Sequence, residues 1–451
     1  MHEVIHHTLQ RQDRQILYAA VMALLLGLLG FAVSPLLSLA LVFAIGIALL
    51  MFLSPYMALL LFLILLYTRP ADYIPALQPF MLTKLTAIVC LAAWFITSLI
   101  VQRQRFISTR ESKWLFAFLG AIFVSMISSE NIDFSFNLFF DKFFKIIVLF
   151  ILITNLVDTR RKMETLVWVL IGLAMWNGYL GISNYFTGKG TVGDLGRTQL
   201  VGIMGDPNDL ALSMVIIIPF MIGIAANTSS GWLRLFLYAG VIELSYANLL
   251  TMSRGGLMGQ IAALGAMFLV GKKRGLQLVS LALAVVLMLG VMTNAVGLRG
   301  ADEGAEESGN SRLWLWEGGV RMALKSPVWG QGFGNFPLKI ADYSDMPVGH
   351  KTAHSIWFLV IGELGFLGIT TFCGFIIFSM LKAMQLLRLS LVMPERSAFR
   401  GILKTLNASL VGFLVCGSFL SQSYEWFLYI LSAIVVAAFE NLTPEERLTC
   451  G

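Results

Sequence analysis

Along this chain, long apolar stretches recur with short polar joints between them. They fall at 16–33, 36–53, 56–67, 83–101, 112–129, 139–157, 164–186, 208–226, 232–252, 255–271, 276–296, 355–381, 405–423 and 426–440. Most reach about 18 residues or more, enough for a helix to cross a roughly 30 Å hydrocarbon core. The stretch 56–67 is short, and 36–67 or 232–271 also read as hairpins or broken helices. The pattern therefore predicts twelve to fourteen spans, and the expected fold is all-α, a polytopic transmembrane helical bundle.

The polar joints differ in charge. Lys and Arg gather at Arg103, Arg105, Arg110 and Lys113, at Arg160, Arg161 and Lys162, at Lys272, Lys273 and Arg274, and at Lys382, Arg388, Arg396, Arg400 and Lys404. Cytoplasmic joints carry such an excess. With the N-terminus inside, a fourteen-span count puts all four clusters on the cytoplasmic side and both termini with them. The longer outer connections are then 68–82, 130–138, 187–207 and 297–354. The chain divides accordingly into a bundle at 1–296, an outer loop at 297–354, and C-terminal helices with a tail at 355–451.

The 297–354 loop is longer than a plain connection needs, and such loops are usually functional. Its beginning, 299–310, is acidic and Gly-rich. Asn310 or Ser311 is placed to cap a helix from Arg312 to about Lys325, with Leu313, Trp316, Val320 and Leu324 on one face. Ser326-Pro327 ends it, and Gly330, Gly332 and Gly334 follow as a turn-rich segment. An amphipathic, Trp-bearing helix of this kind suits the membrane interface; the alternative is a loop that only lids the bundle.

Composition agrees. The chain is 57% hydrophobic and 13% charged, against about 25% charged in a soluble domain. That excludes an ordinary cytosolic enzyme, a disordered chain and a nucleic-acid-binding module. The excess of 32 Lys+Arg over 26 Asp+Glu reads as an orientation signal. Cys90, Cys373, Cys416 and Cys450 are scattered without a CxxC, so neither disulfides nor a cysteine metal site is expected. The first stretch, 16–33, lacks a small-residue cleavage pattern and reads as a retained anchor.

Ionisable groups near the membrane are costly and therefore candidates for function. On this topology Arg197, Arg254, Arg312 and His354 all lie at the outer face. Arg197 precedes Gly205-Asp206-Pro207-Asn208-Asp209, Arg254 sits in a sharp break between apolar stretches, and His354 stands where the loop returns to the membrane. Guanidinium groups stay charged and match phosphate oxygens with forked donors. A histidine beside them is a proton acceptor near neutral pH. Together they suit transfer from a phosphate-activated donor to a hydroxyl. The plainer reading makes each Arg an interfacial anchor and His354 a cap.

Asp141, Lys142 and Lys145 begin a span at the same face, where Lys142 and Lys145 either reach the phosphate or pair locally. Glu243 and Glu363 lie within spans, each placed to hold an Arg. No metal site is expected: HExxH and DxD are absent, and Pro207 makes Asp206 and Asp209 a turn or helix start. The glycines at 330–334 lack the strand and the Lys-Ser/Thr of a nucleotide loop. No cofactor is implied.

Four motifs in order carry a family resemblance. They are the Asp206-Pro207-Asn208 string; Leu250-Thr251-Met252-Ser253-Arg254-Gly255-Gly256; Ser311-Arg312-Leu313-Trp314 through Ser326-Pro327-Val328-Trp329-Gly330-Gln331-Gly332-Phe333-Gly334-Asn335-Phe336; and Ala353-His354-Ser355 followed by Gly362-Glu363-Leu364-Gly365-Phe366-Leu367-Gly368. This series, over about residues 195–370, resembles the O-antigen ligase family of bacterial inner-membrane proteins, which includes O-antigen polymerase-like proteins and protein O-oligosaccharyltransferases.

The resemblance implies a metal-independent, inverting glycosyltransferase. Its donor would be a glycan on undecaprenyl diphosphate at the periplasmic face, and its acceptor a hydroxyl on lipid A core, another glycan or a protein. It also implies that His354 is the catalytic histidine and that Arg254 and Arg312 are the family's arginines, with Arg197 a looser match. Polymerase and protein O-oligosaccharyltransferase differ from ligase only in the acceptor. A rival of another class is a transporter or flippase for a lipid-linked sugar, whose site would lie near the bilayer midplane.

Overall fold

The computed structural model describes residue 46 and residues 51–103, 106–192, 196–268, 304–345, 349–393 and 397–448. The expected spans at 16–33 and 276–296, most of 36–53, and the cluster Lys272, Lys273, Arg274 lie outside them. Two compact units divide the chain, Met1–Leu66 with Ile74–Phe106, and Tyr67–Tyr73 with Ile107–Gly451.

The first unit holds most of helix α1 (Pro55–Thr68) and all of α2 (Leu82–Trp94). Helix α2 runs on as a π-helical turn over Phe95–Val101, so the apolar stretch is one long element.

The second unit contains the rest of the bundle. Helix α3 (Arg110–Met126) opens on a capping box, in which Thr109 and Ser112 satisfy each other's backbone N–H groups. After α4 (Ile132–Leu138), a π-helical turn at Phe139–Phe143 leads into α5 (Phe144–Leu156). Helix α6 (Arg160–Thr187) ends at Gly188 in the left-handed conformation, and a short antiparallel hairpin pairs Val192 with Arg197. The stretch 208–226 folds as two helices, α7 (Pro207–Val215) and α8 (Ile218–Asn227). Pro219 is the cause: it has no N–H to donate back along the helix.

Helices α9 (Gly231–Leu250) and α10 (Arg254–Phe268) meet at a reversal where Met252 has φ 50°. The hairpin alternative for 232–271 is the one observed. The loop helix α11 is Gly304–Lys325. Then come α12 (Ile356–Val392), α13 (Ala398–Gly417) and α14 (Trp426–Glu440).

Among the described residues, six helices are long and apolar enough to cross a membrane: Pro75–Val101, Arg160–Thr187, Pro207–Asn227, Gly231–Leu250, Ile356–Val392 and Ala398–Gly417. The protein is a multi-pass, all-α membrane protein.

Within the second unit α13 packs against α8, α10, α12 and α14. Small residues let backbones approach, as in other membrane bundles. A side chain on Gly401 would meet the Gly223 backbone of α8, and one on Gly259 would meet Cys416 and Gly412. Aromatic rings fill the middle: Phe118 and Phe143 lie 5.7 Å apart, and Phe375 stacks on Tyr429 at 5.5 Å.

Two ends follow from helix direction. At one, Lys382 pairs with Glu111 at 2.8 Å, Arg160 pairs with Glu446, and Glu164 accepts from the Phe399 N–H at 2.9 Å. At the other lie the starts of α12 and α14, the end of α13, and the loop carrying α11. Within the second unit, Arg110, Lys113, Arg160, Arg161, Lys162, Lys382, Arg388 and Arg400 thus share the end opposite His354; Arg105 and Arg396 lie outside the described residues.

Candidate functional site

Helix α11 begins at Gly304, about two turns before the expected Arg312, so neither Asn310 nor Ser311 caps it. Ala305-Glu306-Glu307 supplies good helix formers and negative charge to its first turn, which favours the earlier start. The expected apolar stripe is also turned. Leu313, Val320 and Leu324 are exposed, while Leu315, Gly318, Gly319, Met322 and Ala323 are buried toward α12. The narrow side of the helix packs inward, and the bulky apolar side is left outward. Trp316 is the exception. Its ring stacks on Phe358 at 5.1 Å and its Nε1–H donates to the Ala353 carbonyl at 3.0 Å.

The glycine-rich segment after α11 is a plug. Gly365 interrupts α12 with φ 62° and ψ −158°, opening its backbone. Into that opening the segment donates Gln331 N–H to Gly362 O (3.1 Å) and Gly332 N–H to Glu363 O (3.0 Å). In return Phe366 N–H donates to Pro327 O (2.7 Å) and Leu367 N–H to Val328 O (3.1 Å). Gly330 has φ 71° and lies so close to the Glu363 backbone that a Cβ could not be placed there. Glu363 holds no Arg: its Oε1 accepts from the Phe336 N–H at 3.0 Å, so it anchors the plug. Asn335 donates to Ser129 (2.8 Å) and Ser135 (3.1 Å), tying the plug to the α3–α4 turn.

His354 sits two residues before α12, in the left-handed conformation at φ 47°. Such a φ is uncommon outside glycine and signals a held position. Its N–H donates to Ser421 Oγ at 2.9 Å, and Ser421 donates to Thr352 at 2.8 Å. Burial holds the imidazole below the ordinary histidine range, and the Arg312 charge pushes it the same way. Asp206 opposes them, and Lys351 adds a smaller push downward. The result is a histidine kept neutral beside cations, the form able to take a proton.

Asp206 links this histidine to the other arginines. It caps α7, accepting from the Asn208 N–H at 2.7 Å, with Pro207 at the first helical position. The helix-start reading of this string is the one observed. Asn208 Oδ1 in turn accepts from Arg197 (3.1 Å) and Ser253 (2.7 Å), and Arg197 Nε donates to Thr251 O (3.0 Å). Arg197 is carried by the second hairpin strand, which buried Thr198 pins to Gly181 O at 2.6 Å. Ser253 caps α10 through the Gly256 N–H, which places Arg254, exposed, in its first turn. Helix N-termini carry partial positive charge, so Arg254 adds to an existing field.

Lys142 pairs with Glu425 at 3.3 Å, and its charge reaches Asp209, which also feels Asp206. Lys145 donates to the Asp141 main-chain carbonyl. Arg197 and Ser253 are thus joined through Asn208, Arg254 follows Ser253 in the chain, and His354 feels the charges of Asp206 and Arg312. Lys142 stands at the edge of the same end, and Lys145 is bound to its own turn.

Residues 239–373 match the family model described as O-antigen ligase. That stretch belongs to the O-antigen ligase family. The matched residues contain Arg254, Arg312, His354, the plug and the break in α12, while Arg197 and the Asp206 cap precede them. No curated protein matches the chain. The family is one of O-antigen ligase-type glycosyltransferases, and its partners are in general lipid-linked glycans and their acceptors.

Sequence reasoning missed the joint between α13 and α14. Ser421 holds His354, Gln422 donates to Asp209 at 2.6 Å, and Glu425 takes Lys142. A signal was there: Ser418 to Glu425 is a polar run inside an apolar region. Arg69 was missed as well; it pairs with Asp72 at 2.8 Å and lies over Gly202, in the loop that follows Arg197.

Proposed function

We propose that this protein transfers a glycan from undecaprenyl diphosphate to an acceptor hydroxyl at the periplasmic face of the bacterial inner membrane, with O-antigen ligation to lipid A core as the reaction. The observation that carries the reading is His354 at the loop–helix junction, its neutral form favoured by burial and by the Arg312 charge, while Asp206, which also acts on it, caps the helix whose Asn208 takes Arg197.

His354 takes the proton of the acceptor hydroxyl as that oxygen attacks the anomeric carbon. The new carbon–oxygen bond forms as the bond to the diphosphate breaks, and the diphosphate leaves with the electron pair. Arg254 and Arg312, with Arg197 behind them, neutralise the charge that grows on it, which is electrostatic stabilisation of the transition state. Lys142 and Lys145 stand at the rim for the approaching diphosphate. Attack from one face inverts the anomeric centre. The chemistry uses side chains alone, with no metal and no cofactor.

The outward apolar side of α11 (Leu313, Val320, Leu324) supports a periplasmic loop lying at the membrane interface. The site sits at a bundle end, whereas a transporter would hold its substrate near the midplane.

The test is reconstitution with a labelled lipid-diphosphate glycan and, in separate reactions, lipid A core, a second glycan or a pilin-like protein. Label on lipid A core is the expected result. Label on the second glycan makes the protein a polymerase, and label on the protein makes it a protein O-oligosaccharyltransferase. No label anywhere, with folded protein, rejects transfer itself.

A further inference from the structure

The far end of the second unit holds a cavity of about 620 Å³ between the start of α3, the later turns of α12 and the end of α14. Its charge is lopsided. Arg110, Lys113, Lys382 and Arg388 line it, with Glu111 and Glu440 as the acids. Both acids are already satisfied. Glu111 pairs with Lys382 at 2.8 Å, and Glu440 pairs with Arg447 at 3.0 Å. Among the described residues, Arg110, Lys113 and Arg388 make no ion pair. Three cations thus share one hollow, and the N-terminal end of α3 adds partial positive charge of the same sign.

Crowding like charges costs energy unless an anion joins them. The rest of the wall says which anion. Phe378, Leu381 and Met384 of α12 and Phe439 of α14 line the same cavity, continuing from the cationic rim into the apolar body of the bundle. Leu381 is exposed. A small hydrophilic anion would gain nothing from that wall. An amphiphile with a phosphate head would use both parts, its oxygens on the guanidinium forks and its chains along the apolar side.

We propose that this cavity binds the headgroup of an anionic phospholipid, held by Arg110, Lys113 and Arg388. It lies at the end of the bundle away from His354, so it is a site separate from the transfer chemistry. Lys382 stays with Glu111 and shapes the floor.

The experiment uses the full-length protein in a neutral detergent. Its melting midpoint is followed on titration with phosphatidylglycerol, phosphatidylethanolamine, glycerol phosphate or inorganic phosphate. The expected result is a saturable rise with phosphatidylglycerol alone. The double variant K113Q/R388Q should weaken that response by about tenfold or more. K113R/R388K keeps the charge and should retain most of the response, which separates lost binding from lost folding. The control R161Q/K162Q removes the same charge elsewhere at that end and should respond like the parent. An equal response in K113Q/R388Q, an equal loss in R161Q/K162Q, or an equal rise with phosphatidylethanolamine overturns the proposal. A rise with inorganic or glycerol phosphate alone overturns the lipid assignment.

Discussion

At the residue scale, the proposed mechanism turns on the state of His354. Replacement by Ala should lower transfer by about 10²–10⁴-fold, the usual contribution of a general base, with the protein still folded in the membrane. The pH profile is a finer check. A base works when neutral, so activity falls as pH drops through the imidazole pKa. Because burial and Arg312 hold that pKa below the ordinary value of about 6.5, the acid limb should lie below it. Arg312→Gln removes a charge that disfavours the imidazolium, so its residual activity should show the acid limb moved to higher pH. Asp206→Asn removes a charge that favours it and should move the limb to lower pH. Unmoved limbs in both variants would separate His354 from the rate-limiting proton transfer.

The same scale shows what the sequence could offer. His354, Arg254 and Arg312 stand out because charge is scarce and they break the pattern of the basic joints. Asp206 was legible only as a helix start. Its second role, opposing the downward push on the His354 imidazole, acts between residues 206 and 354, a separation that no local pattern encodes. Glu363 shows the reverse error: a buried carboxylate suggests an arginine partner, but one of its oxygens takes the backbone N–H of Phe336 instead.

At the element scale, the spans were legible wherever hydrophobicity sets them, and the breaks were not. The stretches at 208–226 and 355–381 each read as one helix. Pro219 splits the first, and Gly365 opens the second for the plug. Helix α11 was found, but its start was missed by about two turns and its buried side was misjudged, because small residues rather than bulky ones face the bundle. Gly365 carries the clearest prediction. Its φ and ψ belong to a region nearly reserved for glycine, where another residue costs about 1–3 kcal/mol. A Cβ would also stand 2.6 Å from Pro327 O and 2.7 Å from Gly330 N. Gly365→Ala should therefore lower the melting midpoint and abolish transfer together. Gly120→Ala, in open space within α3, should leave stability equal or raised, by up to about 1 kcal/mol.

At the scale of the whole molecule, sidedness is the central expectation. The Lys/Arg clusters of the second unit share the end opposite His354, in keeping with a cytoplasmic location for that end. A single cysteine at Lys351, in a chain freed of its own cysteines, should react with a membrane-impermeant maleimide added to the periplasmic side of intact cells. One at Arg161 should react only after the membrane is opened; both positions are exposed. The reverse pattern would turn the molecule over and place the transfer site on the wrong side for a periplasmic acceptor. Composition and loop charge made this layout legible early. The bonds that bring Arg197, Asn208 and Ser253 together were not legible from them, because they depend on the hairpin strand and the starts of α7 and α10 meeting at one level.

The plug also fixes an order of assembly. Its residues, 326–336, are synthesised before 362–367, the stretch of α12 whose backbone they bond. Until that helix has left the ribosome and entered the bilayer, the glycine-rich segment has no partner for its N–H groups, and the histidine that α12 brings has no seat. The plug and its opening meet only when α12 closes on the loop that preceded it, and His354 waits longer still, for Ser421 beyond α13 to accept its N–H.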